Sequence, residues 1–295
     1  MELRVYLREK KTIIDKALDE ILIPASYQPP KIHEAMRYSV FAGGKRLRPI
    51  LCMAAAETVG GSSEVVMPIA CALEFIHTYS LIHDDLPPMD DDNLRRGKPT
   101  NHVIFGEATA ILAGDGLLTY AFEIISRYGL EHGEKDKIFQ VGAEIAKAAG
   151  TLGMIGGQVV DMESENITID SQTLEYIHHH KTGALIRASV RSGAILGGGN
   201  QREVEQLSFY ADYLGLAFQI TDDLLDVLGE EEKIGKPIGS DDKNKKATFP
   251  SIYGVSQSQE MAEDAVRKAI AALDIFGQKA NPLRQLAGYL LNRDS

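Results

Sequence analysis

The pattern of apolar positions along the chain is mainly helical. Between residues 203 and 228, apolar side chains recur at steps of three, four or seven residues, which is the spacing of one stripe on a helix. These positions are Val204, Leu207, Ala211, Leu214, Phe218 and Leu225. Helical patterns also cover 31–42, 46–59, 65–86, 107–128, 136–150, 173–196 and 259–275. Strand-like alternation is scarce, so the pattern predicts an all-α bundle of antiparallel helices.

The connections between these helices are short. Gly60 and Gly61 form one turn. The glycines at 197–199 follow a helix and precede no strand-to-helix turn, which indicates a helix terminator and not a nucleotide-binding loop. No linker rich in Pro, Ser or Gly divides the chain, so we expect one domain over residues 1–295. The longest irregular stretch, 229–250, follows an aspartate cluster, and a polar loop of that length predicts a functional role.

Composition and charge argue against several kinds of partner. The 295 residues are 44% hydrophobic and 25% charged, as in a globular protein with a large core. With 31 Lys and Arg against 42 Asp and Glu, the net charge is −11, which argues against nucleic acid and anionic membranes. We find no signal peptide in the charged N-terminal stretch, and no run of about 18 apolar residues predicts membrane insertion. Cys52 and Cys71 lie in apolar runs, which indicates buried thiols of a cytoplasmic protein.

The first candidate site is a cluster of aspartates at 84–92. Five aspartates fall within these nine residues and repel one another unless cations neutralise them. The two prolines at 87 and 88 should end the helix, so that Asp90 can bend back toward Asp84. His77 and Asp84 are seven residues apart and therefore share a helix face. A solvated acidic loop is the alternative. The apolar neighbours at 81, 82, 86 and 89 favour a functional site.

The second candidate site is a polar stripe on the helix that ends near residue 228. Its members recur at steps of three and four and are Gln219, Asp222, Asp223 and Asp226. Carboxylates on a core helix are costly unless they are paired or bound to metal. Mg²⁺ is the natural ion, because it takes few carboxylates and completes its octahedron with water and phosphate oxygens. Calcium is disfavoured, since no EF-hand spacing is present.

Basic residues stand close to both acidic segments in an otherwise acidic chain. They lie in the stretch GGKRLRP at 43–49, in the pair Arg95 and Arg96, and at Lys181 and Lys236. Two glycines before Lys45 permit close backbone approach to an anion, and arginine forks match phosphate oxygens. Plain surface charge is the alternative for each one alone. Their clustering beside the acids favours a phosphate site.

The three histidines at 178–180 do not form a zinc site. Successive residues on a helix point about 100° apart, so the three cannot hold one ion, and at most one can face a pocket.

Together these segments resemble the trans-prenyltransferase family, the isoprenyl diphosphate synthases. LIHDDLPPMDDDNLRRGKPTNH carries the first aspartate-rich motif of that family, and DDLLD matches the second. GGKRLRP, GQVVD, HHHKTG and NKKATFP are further family segments, and the resemblance runs from about residue 30 to 255. The chain is most similar to bacterial farnesyl diphosphate synthases, which share the two-residue expansion at 87 and 88.

The resemblance implies head-to-tail condensation of isopentenyl diphosphate with dimethylallyl and then geranyl diphosphate, giving farnesyl diphosphate by Mg²⁺-assisted ionisation. A geranylgeranyl diphosphate synthase with the same mechanism is the main alternative, and a class I terpene cyclase is a weaker one. A non-catalytic prenyl synthase subunit and a non-enzymatic cation-binding protein are the others. The complete aspartate motifs disfavour the non-catalytic subunit, and the basic residues disfavour a simple cation-binding protein.

The family also implies roles for individual residues. About three Mg²⁺ ions, with Mn²⁺ as a substitute, would be held by the aspartates. These are Asp84, Asp85, Asp90, Asp222, Asp223 and Asp226. The allylic diphosphate would contact Arg95, Lys181, Thr182, Gln219, Lys236 and Lys246, of which Arg95, Lys181, Thr182 and Gln219 are also the catalytic residues.

The second diphosphate, that of isopentenyl diphosphate, would bind without metal to Lys45, Arg48, His77 and Arg96. Asp161 would lie near the second aspartate cluster without binding the metal itself. Lys236 and Lys246 would close over the diphosphate as part of a lid in 229–250.

Product length would depend on Tyr79 and Ser80. Tyr79 lies five residues before Asp84, about 7.5 Å back along the helix, where it would form the pocket floor. A plain core tyrosine is the alternative. The resemblance further implies a homodimer.

Overall fold

The computed structural model describes residues 2–228 and 247–291 of the chain. Lys236 and Lys246 lie outside the described residues. The first elements are α1 (Leu3–Ile21), α2 (Pro30–Val40), α3 (Leu47–Thr58), α4 (Met67–Asp84), a hairpin of β1 (Leu94–Arg95) and β2 (Lys98–Pro99), α5 (Asn101–Phe105), α6 (Glu107–Glu131) and α7 (Lys135–Ala149). There follow α8 (Met154–Glu163), α9 (Ser171–Ile177), a π-helical segment (His178–Gly183), α10 (Ala184–Leu196), α11 (Gln201–Leu228), α12 (Phe249–Tyr253), α13 (Val255–Ala272), a 3₁₀ segment (Asp274–Ala280) and α14 (Asn281–Leu290).

Helix α4 is the centre of the bundle. It begins with Pro68 in its first turn, and its apolar residues face every direction, so it can be stable only when other helices cover it. Helix α6 packs along it, and α3, α2 and α1 cover other sides. Ile69, Leu73, Phe75 and Ile76 are fully buried as a result. The end of α4 therefore holds the first aspartate motif rigidly.

Helix α11 carries the second aspartate motif and packs mainly on α13 and α10. Near the motif, Ile220 and Leu224 form a smaller apolar cluster with Leu174 of α9 and Phe249 of α12. Helix α12 begins with a capping box, in which Thr248 and Ser251 satisfy each other's backbone amides. The cluster and the cap together fix α12 beside the aspartates of α11.

The predicted all-α fold is confirmed, since the described strands are only the two-residue β1 and β2. The predicted helical ranges correspond to α2, α3, α4, α6, α7, the run from α9 to α10, α11 and α13. The glycines at 197–199 follow the end of α10, as expected of a terminator. Cys52 and Cys71 are free and buried, as predicted. The prediction of an irregular stretch to residue 250 was wrong at its end, because α12 begins at Phe249.

One described helix meets the length and composition of a membrane span, which the sequence pattern did not predict. Helix α6 is long and apolar enough by these criteria, although polar residues such as Asp115 interrupt it. Of its most apolar window, 44% is buried inside the protein. This burial arises because α6 packs against α4, α2 and α7 as a core helix does.

Candidate active site

A cavity of about 1380 Å³ lies between the end of α4, the loop at 43–46, α8, the π-helical segment and α11. Most of the predicted site residues that the structure describes line it. They are Lys45, Arg48, His77, Tyr79, Ser80, Asp84, Asp90, Arg95, Arg96, Asp161, Lys181, Thr182, Gln219, Asp222 and Asp223. Asp85 and Asp226 are also described by the structure, but they do not line this cavity.

The first aspartate motif folds back on itself as predicted. Helix α4 ends at Asp84, and the backbone amide of Asp90 donates a hydrogen bond of 2.9 Å to the carbonyl oxygen of Asp84. Burial raises the pKa of the Asp84 carboxyl to about 6, against the charge of Lys181, and the charge of Asp90 also raises it. A carboxylate under such repulsion gains stability from a bound cation.

Asp85 has a different environment from the one expected of a metal ligand. Its carboxylate is 5% exposed and accepts a hydrogen bond of 2.7 Å from Nε of Arg95. Nη2 of Arg95 lies 2.5 Å from the same oxygen. Because consecutive residues at a helix end point in different directions, Asp84 faces the cavity while Asp85 faces the hairpin. The contacts of Asp85 are those of a residue that orients Arg95, and its role as a metal ligand stays a prediction.

The second motif is also divided between environments. Asp222 is exposed and lines the cavity, whereas Asp223 is 7% exposed. Oδ2 of Asp223 accepts a hydrogen bond of 2.9 Å from the backbone amide of Phe249, at the start of α12. Asp226 lies one turn further along α11, beyond the described cavity lining.

The donor set of the cavity suits a divalent ion that is shared with a substrate. In residues 2–228 and 247–291, no three acidic, histidine or cysteine side chains converge as a ligand cage. Mg²⁺ is commonly bound by one or two carboxylates plus substrate phosphates and water. Asp84 and Asp90 on one wall and Asp222 on the other offer hard oxygen donors of that kind. These residues fit Mg²⁺.

The basic part of the cavity lies beside α4 and the loop at 43–46. Burial, together with the charges of Arg48 and Arg96, holds the pKa of His77 well below its ordinary value. Burial lowers the pKa of Arg48 to about 10, which still leaves it cationic near neutral pH. Nε of Arg48 and Nδ1 of His77 are buried and have no hydrogen-bond partner within residues 2–228 and 247–291. A buried donor such as Nε of Arg48 can be satisfied by an incoming anion.

Arg96 approaches the glycine loop closely. Its Nη1 donates a hydrogen bond to the carbonyl oxygen of Gly43. A Cβ at Gly44 would lie 2.6 Å from the same Nη1, and the φ of Gly44 is +123°. Arg96 can therefore pack against the loop only because Gly44 has no side chain. The sequence pattern did not predict this contact.

The sequence pattern did not predict a buried ion-pair network that joins Arg46, at the end of the basic loop, to α4 and α1. Nη1 of Arg46 donates to Oε1 of Glu74 at 2.8 Å, and its Nε donates to Oδ1 of Asp15 at 2.7 Å. The side chains of Arg46 and Glu74 are only 2% and 3% exposed. Glu74 interrupts an apolar stretch of α4 one turn before His77, and a lone buried acid is a signal that a partner exists.

Helix α8 fixes Lys181. Nζ of Lys181 lies 2.6 Å from Oδ2 of Asp161. The backbones meet at Gly157, where an added Cβ would lie 2.2 Å from the backbone nitrogen of Lys181. Gly157 and Asp161 belong to the stretch GQVVD, so this stretch supports the π-helical segment that carries Lys181 and Thr182.

Of the three consecutive histidines, His178 lines the cavity. Its Nδ1 lies 2.9 Å from Nε2 of Gln219, and its Nε2 lies 3.6 Å from Oδ2 of Asp223. Burial lowers its pKa to about 4, so the ring is neutral near neutral pH. This agrees with the expectation that at most one member of the triplet faces the pocket.

The apolar end of the cavity begins at Tyr79, whose side chain is buried at 6% exposure. The ring of Tyr79 makes an edge contact with the ring of His83, with centroids 5.6 Å apart. Ser80, Leu118 and Met154 also line the cavity. Tyr79 therefore forms part of the cavity wall on α4.

Comparison with known proteins agrees with this fold. The polyprenyl synthetase family profile matches residues 29–279, so the chain belongs to that family. It is 49% identical to the geranylgeranyl diphosphate synthase of Cyanophora paradoxa over 99% of this chain and 97% of that protein. It is 50% identical to the farnesyl diphosphate synthase of Geobacillus stearothermophilus over 92% of each.

Among solved structures, an FPP/GFPP synthase from Zymomonas mobilis superposes with a TM-score of 0.87 at 38% identity, with 98% of each chain covered. The fold is thus the all-α fold of the isoprenyl synthases. Family and relatives support a prenyltransferase of isoprenoid biosynthesis, a trans-prenyl diphosphate synthase that acts on diphosphate substrates. The relatives are named for products of more than one length.

Proposed function

We propose that the chain condenses isopentenyl diphosphate with dimethylallyl and then geranyl diphosphate and releases farnesyl diphosphate. The observation that supports this proposal is the shared cavity. Its lining contains carboxylates on two walls and a separate group of cationic side chains. Tyr79 lies at its apolar end. A reaction between two diphosphates, one of which must lose its diphosphate, needs these parts in one space.

The allylic diphosphate binds between the aspartates of α4 and α11. Asp84, Asp90 and Asp222 would hold Mg²⁺ there, with Asp223 beside them, and the ion when bound neutralises the leaving diphosphate. Lys181 and Arg95 add positive charge from the protein. Asp161 and Asp85 hold these two cations by ion pairs of 2.6 Å and 2.5 Å. Fixed positive charge placed where negative charge develops is often the largest catalytic contribution.

Isopentenyl diphosphate binds to the basic residues without metal. Arg48 and Arg96 supply charge, and His77 is neutral and supplies a ring nitrogen for hydrogen bonding. Lys45 at the rim adds a further cation. Nε of Arg48, which has no partner among the described residues, would donate a hydrogen bond to a phosphate oxygen, and Nδ1 of His77 would do so in the tautomer that carries its proton there.

The carbon chemistry takes place between the two diphosphates. When the allylic C–O bond ionises, the oxygens of Thr182 and Gln219 face the cation, and the double bond of isopentenyl diphosphate attacks it. The released diphosphate takes the proton that the new carbon skeleton loses, so no separate protein base is required.

The farnesyl product, rather than the geranylgeranyl one, is proposed from Tyr79. Its ring is buried and lines the cavity on α4, where it would block further growth of the chain. The role of Ser80 in product length, the lid role of Lys236 and Lys246, the Mn²⁺ substitution, the homodimer, the single domain and the cytoplasmic location stay predictions.

The decisive experiment incubates the purified protein with Mg²⁺, labelled isopentenyl diphosphate and each allylic primer, and sizes the products. We expect C15 as the main product. Asp84→Ala and Asp222→Ala should keep the circular dichroism spectrum of the parent and lose at least about 10²-fold in turnover. The control is Asp274→Ala, an exposed aspartate on the 3₁₀ segment, which should keep full turnover. Near-full rates in either motif variant would disprove the metal assignments.

A further inference from the structure

The three histidines at 178–180 have three different environments. The side chain of His178 is 11% exposed and lines the cavity. His179 is exposed to solvent. His180 turns away, with its Nδ1 2.8 Å from the carbonyl oxygen of Tyr176 and its ring stacked on the Tyr176 ring. The π-helical geometry of His178–Gly183 directs only the first of the three inward.

His178 connects separate parts of the cavity wall. The amide Nε2 of Gln219 donates to its Nδ1 at 2.9 Å. On the opposite edge of the ring, Nε2 lies 3.6 Å from Oδ2 of Asp223. The ring stacks on Phe249 of α12 with centroids 5.2 Å apart and planes inclined by 18°. Phe249 in turn donates its backbone amide to the same oxygen of Asp223.

The protonation of the ring follows from these contacts. Because Nδ1 accepts from Gln219, the one proton of the neutral ring is on Nε2, directed toward the Asp223 carboxylate. Nε2 has no hydrogen-bond partner among the described residues. The amide nitrogen of Gln219 is engaged by the ring, so the amide plane has a fixed orientation and its oxygen points away from His178.

We propose that His178 is a positioning residue for the condensation, acting through Gln219 and Asp223. Its contact with Nε2 of Gln219 leaves the amide oxygen of Gln219 to face the substrate. Its Nε2–H, directed toward Oδ2, stabilises the position of the Asp223 carboxylate. This inference rests on the proposed roles of Gln219 and Asp223. The rival explanation is that His178 only fills space between the π-helical segment and α12.

The test replaces the ring without removing its bulk. His178→Phe keeps an aromatic ring to stack on Phe249 and removes both nitrogens. We expect kcat to fall by about tenfold or more, because a fixed polar contact to a reacting group is lost, with little change in KM for isopentenyl diphosphate. His178→Asn offers a carboxamide oxygen near the position of Nδ1, and it should recover part of the rate. The matched control is His179→Phe, the exposed neighbour, which should keep the parent kinetics.

A second readout does not depend on turnover. Calorimetry of inorganic pyrophosphate binding in the presence of Mg²⁺ should show affinity lowered by about fivefold in His178→Phe, since Asp223 loses its neighbour. His179→Phe should bind as the parent does. A space-filling role predicts unchanged affinity in both variants, and that result, together with parent kcat in His178→Phe, would overturn the proposal.

A double-mutant cycle separates this inference from the proposed function. If His178 acts through Gln219, the double variant will lose less rate than the product of the losses in His178→Phe and Gln219→Ala measured separately. Independent losses would overturn the positioning role, while a large loss in Gln219→Ala alone would still support the proposed function. Full activity of Gln219→Ala would count against both. If His178→Phe fails to fold, the same cycle with His178→Asn gives the decision.

Discussion

The backbone amide of Asp90 donates a hydrogen bond of 2.9 Å to the carbonyl oxygen of Asp84. The two prolines between them end α4, and this bond closes the chain into a compact turn. The turn places both carboxylates at the same cavity wall and leaves Asp84 under repulsion from Asp90. The cost of this arrangement in the metal-free protein leads to the first prediction.

Replacing Asp84 by Asn should stabilise the metal-free protein near neutral pH. The folded-state pKa of Asp84, about 6, lies above its ordinary value of 3.8, so ionisation of this carboxyl opposes folding. At about pH 7.5 we expect Asp84→Asn to be more stable than the parent by up to about 3 kcal/mol. Urea unfolding after chelator treatment measures the difference.

The pH dependence gives the sign of the effect. A raised folded-state pKa means that the parent loses stability as pH rises from about 4 through about 6, because the folded state binds the proton more tightly. Below about pH 3 the carboxyl is mostly protonated in both states, and the two curves should converge. The control Asp274→Asn, at an exposed site, should follow the parent. A stability gap that does not change with pH would refute the assignment.

Replacing Glu74 by Gln should weaken both the fold and the basic loop. Arg46 would keep a hydrogen-bond partner but lose the buried charge that compensates its own, at a cost of about 3 kcal/mol. Arg46 ends the loop at 43–46 with a left-handed backbone φ of 54°, and its side chain is anchored by Glu74. Loss of that anchor should raise KM for isopentenyl diphosphate, while KM for the allylic substrate should change little.

The control for this variant is an exposed ion pair. Glu123→Gln breaks the contact of 3.2 Å between Glu123 and Arg127. The side chain of Glu123 is 60% exposed and that of Arg127 is 51% exposed. Such pairs are worth about 0.5 kcal/mol or less. Equal losses of urea midpoint in the two variants would show that burial of the Glu74 pair does not matter.

Replacing Gly157 by Ala should separate α8 from the π-helical segment. The new methyl group would meet the backbone of Lys181 at 2.2 Å, and a backbone cannot give way as a side chain can. We expect a loss of about 1 to 3 kcal/mol and a fall in kcat, as the pair of Lys181 with Asp161 is displaced. Gly133→Ala is the control, because a Cβ at this exposed glycine meets no atom of the described residues within 4 Å. Parent-like kinetics in Gly157→Ala would contradict the close packing.

Replacing Tyr79 by Ala should lengthen the product. Removal of the ring opens the apolar end of the cavity, so chain growth can continue past C15, and truncation of a buried aromatic residue costs about 3 kcal/mol of stability. Tyr79→Phe keeps the ring and should keep the product. Chromatographic sizing of the products decides, and an unchanged distribution in Tyr79→Ala would mean that Tyr79 is an ordinary core residue.

Local sequence patterns predicted the elements with strong periodicity and failed where the pattern was weak. Helix α8 was missed because its glycine pair at 156 and 157 lowers helix propensity, yet packing on the π-helical segment holds it. Helix α1 was missed because its charged residues mask a narrow apolar stripe that buries Ile14 and Leu18. Tertiary packing overrides propensity in α8, whereas α1 consists mainly of residues with good helix propensity.

The sequence by itself determined the helical architecture, the two aspartate motifs and the cationic residues near them, because periodicity and residue spacing are local properties. Only the tertiary structure decided that Asp84 and Asp85 face different sides, that Glu74 balances Arg46, and that His178 reaches Gln219 and Asp223. Each of these relationships depends on which helices become neighbours and on the direction of each side chain. Contacts between residues far apart in the chain arise from packing of the whole core, which no short segment encodes.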